Sequence, residues 1–278
     1  MSADRFDLTG SVALVTGGSR GIGRGIALGL AEHGADVIIV YRSADAEAQS
    51  NADAIRALGR KAWLFKHDLA EVEQTHDLAD KCWDAAGRVD ILVNNAGLAY
   101  LEHFNTITIE KWNHTLAVNV DAVFFLSQRI AERMIAAQIK GRIIIITSVN
   151  GMVAEASLAH YDASKGAAEL MMQSLAIELG QHGITVNAIA PGIITTEIGE
   201  ESNVDFDEMT PYYKQHIPLE HEFGVVEDCV GPAVFLASAA GGYITGQHIV
   251  VDGGILCEQL PRMQFMPPYR NTITGHSE

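Results

Sequence analysis

Residues 12–34 read VALVTGGSRGIGRGIALGLAEHG, and this stretch decides the fold. A short β-rich apolar run, 12–15, leads into Thr16-Gly17-Gly18-Ser19-Arg20-Gly21-Ile22-Gly23, and a helix-length segment follows. Glycines at 17, 21 and 23 permit a tight turn and let backbone amides approach a phosphate at a helix N-terminus. Glycine also ends strands in many α/β proteins, so the pattern alone is weak. Its place after a first strand and before a helix is the context that makes it a dinucleotide-binding turn.

Outward from this turn the same rhythm repeats. Apolar runs recur at 37–41, 62–65, 91–93, 143–147, 184–189 and 248–251. They do not alternate with polar residues, as expected for strands buried on both faces of a parallel sheet. Helix-length segments separate most of them, giving successive βαβ units and a doubly wound sheet. No break rich in Pro, Ser or charge divides the chain before Gly254. One domain is therefore expected over residues 1–254, with 255–278 as a C-terminal extension.

Composition narrows the function. The 278 residues suit one large α/β domain, and 48% apolar content predicts a sizeable core. A net charge of −16 without a basic run argues against nucleic acid or an anionic membrane as partner. Cys82, Cys229 and Cys257 lack zinc spacing, which points to a reduced, cytoplasmic compartment. The segment MSADRFDLTG lacks the features of a signal peptide, and no apolar run approaches the ~20 residues of a membrane span. The 11 histidines are scattered without ligand spacing, so no metal is expected.

The second strand, ADVIIVYRS, should end beside an adenosine ribose. A carboxylate there would bind ribose hydroxyls and repel a 2′-phosphate. The chain has Tyr41 and Arg42 instead, with Arg20 in the glycine turn, so NADP is favoured over NAD. The alternative is that Arg42 solvates the strand end or stacks on adenine. Asp68, after the third strand, either meets the adenine amine or caps a helix. Asn94-Asn95-Ala96-Gly97 closes the fourth strand with residues suited to a tight turn against a flat ligand. Asn119 falls mid-helix between Val118 and Val120, where Asn is a poor helix former. A structural hydrogen bond or a solvated face is the ordinary explanation.

Residues 148–165 read SVNGMVAEASLAHYDASK. Tyr161 and Lys165 lie four apart and share a helix face. An ammonium beside a phenol favours phenolate and predicts a pKa below the usual value of about 10, useful for acid–base chemistry near neutral pH. Tyr-x-x-x-Lys arises readily by chance, so the surrounding chain must carry it. Leu170, Met171, Ser174, Leu175 and Leu179 continue that helix as a stripe suited to core and subunit interface. Beyond Pro191-Gly192-Ile193-Ile194-Thr195-Thr196, the acidic segment holding Glu197, Glu200, Glu201, Asp205, Asp207 and Glu208 has the length of an active-site lid.

In this order, TGGSRGIG, Asp68, NNAG, Asn119, Ser148, YDASK, PGIITT and VDGG make residues 8–254 resemble the short-chain dehydrogenase/reductase family. The resemblance implies a Rossmann-like doubly wound seven-stranded parallel sheet, usually a homotetramer, and hydride transfer between nicotinamide and a carbonyl or carbinol carbon. It makes Tyr161 the general acid/base and sets Ser148 on the reacting oxygen. Lys165 would bind the nicotinamide ribose and depress the tyrosine pKa, and Asn119 would hold a relay water. Gly17, Ser19, Arg20, Ile22 and Gly23 would form the pyrophosphate turn, with Tyr41, Arg42, Ser43, Asp68 and Leu69 on the adenosine side. Asn95, Ala96 and Gly97 would line the cofactor, and Pro191, Gly192, Ile194 and Thr196 its carboxamide end. Two departures stand out. Relatives commonly have Gly-Arg near Glu220-His221, and the tail past Gly254, with Leu256, Leu260, Met263, Phe265, Met266 and Tyr269, is either disordered or packed on a neighbouring subunit.

For the substrate, Asn150, Glu155 and His160 beside Ser148, with His103 after NNAG, are ordinarily structural or solvated, though as a polar cluster they suit a polyhydroxylated molecule. The acidic lid disfavours an anionic substrate, whereas Arg129, Arg133 and Lys140 offer a carrier protein a basic patch. The chain resembles sugar and polyol dehydrogenases of the glucose or gluconate type, and that is the expected activity. The alternatives are a 3-oxoacyl-(acyl carrier protein) reductase and a non-catalytic NADP-sensing regulator. The regulator is disfavoured by the presence of Asn119, Ser148, Tyr161 and Lys165 together.

Overall fold

The apolar runs form β1 (Val12–Thr16), β2 (Asp36–Tyr41), β3 (Ala62–Lys66), β4 (Ile91–Asn94), β5 (Arg142–Ile146), β6 (Thr185–Pro191) and β7 (His248–Val251). The computed structural model describes residues 5–196 and 206–257. The strands make one sheet in the order β3-β2-β1-β4-β5-β6-β7, every pairing parallel. Register is set at the centre, where Leu14 pairs with Ile38 on one side and Leu92 on the other. The predicted Rossmann-like sheet is the observed one.

Successive strand residues point to opposite faces, so each face builds its own core. Leu14, Ile38, Leu92, Ile143 and Val186 face α3 (Thr75–Ala86), α5 (Ala122–Ala136) and α6 (Ala159–Gly180). Val15, Ile39, Val93, Ile144 and Ile189 face α1 (Gly21–Glu32), α2 (Asp45–Ala57) and α8 (Val226–Ala237). Each such side chain, fully buried, contributes about 1.5–3 kcal/mol. The absence of alternation in the sequence therefore reflects two cores and one sheet.

Helices α1 and α8 touch because α1 carries glycines at the crossing. A Cβ on Gly25 would lie 2.3 Å from Val226 Cγ1, and one on Gly29 would lie 2.2 Å from Val230 Cγ1. Gly29→Ala should lower the unfolding free energy by about 1–3 kcal/mol through overpacking, despite the better helix propensity of alanine. Urea denaturation checks this, and an unchanged or higher midpoint would show that the interface is loose.

The remaining helices are α4 (Ile109–Leu116) and α7 (Phe206–Lys214). Thr108 caps α4 by accepting from the Lys111 backbone N–H at 3.2 Å. Between α4 and α5 the chain passes through a π-helical turn, Ala117–Asp121. Asn119 sits in that turn and not in regular α-helix, and such insertions often mark functional sites. On α6 the predicted stripe divides. Leu175 is buried and Met171 and Leu179 pack beside the core, whereas Leu170 is 66% exposed.

Glu220 and His221, where relatives commonly carry Gly-Arg, have φ values of 53° and 55°. The backbone there is left-handed, the conformation glycine adopts at least cost. The acidic segment at 197–205 and the tail beyond Cys257 lie outside the described residues.

Candidate active site

A cleft of about 400 Å³ runs along the carboxyl ends of the strands. It straddles β1 and β4, where the strand order reverses, the place at which doubly wound sheets bind ligands. Gly17 and Gly21 take left-handed φ values of 65° and 56°, which turn the chain sharply from β1 into α1. Helix α1 begins at Gly21 with no side-chain cap and no acidic residue in its first turn. Its end therefore keeps orphan donors and a positive dipole end for an anion. A pyrophosphate fits these features.

The turn is held from behind. Thr16 Oγ1 accepts from the backbone N–H of Asn95 and of Ala96, both at 3.0 Å, and Asn95 Nδ2 donates to Thr16 O at 2.9 Å. Asn51 Nδ2 donates to Gly18 O at 2.7 Å. The closing NNAG turn is thus bonded to the opening glycine turn. Gly23 packs inside this joint and does not line the cleft: a Cβ there would sit 2.4 Å from Gly17 O.

Gly17, Ser19, Arg20 and Ile22 line the cleft, as do Tyr41, Arg42, Ser43, Asp68 and Leu69 on the adenosine side. Asp68 makes an Asx turn, accepting from the Ala70 N–H at 3.0 Å, and it caps no helix, because the next helical turn begins at Val72 with Glu71 in the N-cap position. A carboxylate missed by the sequence reading stands close by. Asp45, in the first turn of α2, lies close to Tyr41 and is paired with Lys66 at 2.6 Å. Lys66 and Tyr41 hold its pKa below the usual range, and burial, then Asp45, pushes the Tyr41 phenol up. Asp45 is paired with Lys66 and does not line the cleft, so Arg42 and Asp68 are the charged residues that line it on the adenosine side.

The far end of the cleft is lined by Asn95, Ala96, Gly97, Ser148, Tyr161 and Lys165, with Pro191, Gly192, Ile194 and Thr196 opposite. Helix α6 sets Tyr161 and Lys165 one turn apart, and Lys165 Nζ lies 5.5 Å from the Tyr161 ring centroid. Lys165 is 5% exposed and donates to Ile146 O at 2.9 Å. A Cβ on Gly97 would lie 3.4 Å from Lys165 Nζ, so the NNAG turn closes over the ammonium.

The expected depression of the tyrosine pKa is corrected here. Burial pushes the Tyr161 phenol up; the neighbouring Ser148 hydroxyl opposes this, and the charges of Asp162 and Glu155 add to it. Lys165 lies against the ring and bonds to a carbonyl, and burial pulls its own pKa down to about 8, against the pull of Glu169. Four-residue spacing reports proximity, whereas the shift depends on desolvation of both groups.

Asn119 is 2% exposed and fully engaged. Its Oδ1 accepts from the Leu98 N–H at 3.0 Å, and its Nδ2 donates to Leu98 O and to Ser164 Oγ, each at 2.9 Å. Ser164 Oγ in turn donates to Tyr161 O at 2.7 Å. The side chain joins the loop after β4 to helix α6. Both its donors are spent on protein, so a water at this residue would meet Oδ1 or the main-chain carbonyl.

Asn150, Glu155 and His160 do not line the cleft. Asn150 Nδ2 donates to Asp162 Oδ1 at 2.9 Å and to Glu155 Oε2 at 3.3 Å, and the Glu155 N–H donates to Asp162 Oδ2 at 3.0 Å. His160 is buried and stacked on Tyr100, ring centroids 5.9 Å apart and planes within 8°. Burial pushes its pKa down and keeps it neutral. His103 bonds to Asn105 at 2.6 Å. The sequence reading missed His67, Leu98, Val118 and Thr147, which line the cleft from strand ends and the π-helical turn. Only the position of His67 and Thr147 beside Asp68 and Ser148 signalled them.

Two of the three cations of the expected basic patch are paired with carboxylates. Arg129 and Arg133 both bind Asp80, at 2.9 and 2.7 Å, and Arg133 also binds Asp84 at 2.7 Å.

A family model described as Enoyl-(Acyl carrier protein) reductase matches residues 17–256. The L-rhamnose 1-dehydrogenase (NADP(+)) of Thermoplasma acidophilum is 39% identical over 251 residues, covering 90% of this chain and 98% of that protein. A gluconate 5-dehydrogenase from Burkholderia cenocepacia, solved with NADP and tartrate, is 36% identical with a TM-score of 0.86, covering 93% of this chain and all of that one. A short-chain type dehydrogenase/reductase from Mycobacterium marinum is 35% identical with a TM-score of 0.85, covering 92% and 99% of the two chains. Likeness of this extent in both sequence and fold leaves one assignment: the chain belongs to the short-chain dehydrogenase/reductase family of nicotinamide-dependent oxidoreductases.

Proposed function

We propose that the protein is an NADP-preferring dehydrogenase that oxidises a carbinol or hemiacetal carbon of a neutral sugar or polyol, with Tyr161 as general acid/base. The observation that carries this is the grouping of Ser148, Tyr161 and Lys165 at one end of the cleft, with Lys165 Nζ 5.5 Å from the Tyr161 ring centroid. The similarity to an L-rhamnose 1-dehydrogenase and to a gluconate 5-dehydrogenase supports the substrate class. The pairing of Arg129 and Arg133 with acidic neighbours removes an argument for a carrier-protein substrate. Arg42 at the adenosine end, with Asp45 paired with Lys66, supports NADP over NAD.

When bound, the nicotinamide supplies the acceptor or donor of hydride; the chain handles the proton. Tyr161, held protonated at neutral pH by burial, is ready to donate to a carbonyl oxygen in the reductive direction. In the oxidative direction it must first lose its proton, and the neighbouring Ser148 hydroxyl favours that loss. Asn119 and Ser164 fix the helix turn that carries Tyr161. The NNAG turn and Pro191-Gly192 exclude water from the two sides. Oxidation should therefore accelerate with rising pH and reduction should slow, and the two pH–rate profiles measured on one preparation check this.

A catalytic unit over residues 1–254, extended by 255–278, and a cytoplasmic homotetramer belong to the same proposal. Leu170 and Ile177, 66% and 82% exposed on α6, support a subunit contact. The test is a panel of aldoses, polyols and 3-oxoacyl thioesters, each assayed with NADP(H) and NAD(H) separately. Activity on a sugar or polyol, higher with NADP, is expected. Activity confined to oxoacyl thioesters would overturn the substrate class, and equal or better use of NAD would overturn the cofactor preference.

A further inference from the structure

Helix α7 lies outside every motif above, yet it is bonded into the site. The Tyr213 hydroxyl donates to Glu155 Oε1, and the other carboxylate oxygen of Glu155 accepts from Asn150 Nδ2 at 3.3 Å. The Asn150 N–H donates to Ser148 Oγ at 3.1 Å, and Ser148 lines the cleft with Tyr161. A chain of hydrogen bonds thus joins Tyr213, Glu155, Asn150 and Ser148. The chain just past α7 is anchored on the turn after β7. The Leu219 N–H donates to Gly253 O at 3.1 Å, and Ile217, 2% exposed, packs where a Cβ on Gly253 would come within 2.6 Å. Glu155 follows β5, and β6 lies between β5 and β7. Residues 213–219 therefore cross the carboxyl end of β6, whose last residue, Pro191, lines the cleft.

We infer that Tyr213 is a positioning residue, latching α7 across the cleft and, through Glu155 and Asn150, setting the orientation of the Ser148 hydroxyl beside Tyr161. The inference rests on the proposed roles of Ser148 and Tyr161. Its physical basis is the single hydrogen of Ser148, which Asn150 Oδ1 accepts at 3.3 Å, so the setting of the Asn150 amide decides how that hydroxyl meets the phenol oxygen. Both Nδ2 hydrogens of Asn150 are committed to Glu155 and Asp162, so its amide cannot turn over. A carboxylate acceptor makes the Tyr213 bond stronger than a neutral pair would. Glu155 is thereby a link in the chain and not a ligand of the substrate.

The test uses the full chain with two variants and two readouts. Tyr213→Phe removes only the latch hydroxyl. Backbone amides of 210–216 should exchange with deuterium about tenfold faster, as expected for loss of one hydrogen bond to a charged group. KM for the sugar or polyol should rise while KM for the cofactor holds. Glu155→Gln keeps an acceptor for Tyr213 and turns a donor towards Asn150. Exchange in α7 should then stay near wild type while kcat falls. Hydrogen exchange needs no substrate, so it decides on the latch even if no sugar is turned over. Unchanged α7 exchange in Tyr213→Phe would overturn the latch. A fall in kcat and a rise in both KM values by the same factor in both variants would show a merely structural role and overturn the link to Ser148.

Discussion

Replacing Tyr161 by Phe should lower turnover by about 10²–10⁴-fold, the span that a positioned general acid or base contributes, while nicotinamide affinity stays as it was. The phenol oxygen is the one atom removed. The ring remains against Lys165, whose Nζ stays 2.9 Å from Ile146 O, and the cleft walls from Gly17 to Thr196 are untouched. Calorimetric titration of cofactor alongside steady-state rates separates the two effects. A variant within tenfold of wild-type turnover would place the proton transfer elsewhere.

Lys165→Met should cost about 10²–10³-fold in kcat, the loss typical of removing one preorganised charge or donor from a closed site. It also carries a stability signature. The folded pKa of Lys165 is about 8 against an ordinary value of 10.5, so the unfolded chain binds more protons between those values. Wild-type stability should rise relative to Lys165→Met as pH climbs through that window, because the cost of burying an ammonium disappears. Chemical denaturation of both proteins at pH 7 and pH 10 measures the difference. A gap that does not change with pH would show that the lysine is solvated in the folded protein.

The sheet was legible because its strands are buried twice. Seven unbroken apolar runs, most of them separated by helix-length segments, admit few other arrangements, and the glycine turn after the first run fixed the crevice. Ser148, Tyr161 and Lys165 were legible because one helix and the strand before it carry all three. Contacts between distant segments were not. Asp45 meets Tyr41 and Lys66 only after β2, β3 and α2 have packed, and no local pattern announces Tyr213 on Glu155. The π-helical turn at Ala117–Asp121 was also hidden. An Asn in a helix reads as poor propensity, whereas in the fold its backbone and side chain tie β4 to α6. The sign of the Tyr161 shift failed for a related reason. Spacing shows which charges are near, and the desolvation that outweighs them exists only in the folded interior.

The central claim is that this cleft joins hydride transfer at nicotinamide to proton transfer at Tyr161. Its most direct test is to supply the sugar or polyol that the panel selects with deuterium at the carbinol carbon, and to analyse the reduced cofactor by mass spectrometry and NMR. The deuterium should appear on nicotinamide C4 in the wild-type product, and the Tyr161→Phe protein should yield almost none. Oxidised product accompanied by unlabelled reduced nicotinamide, or by none, would contradict it.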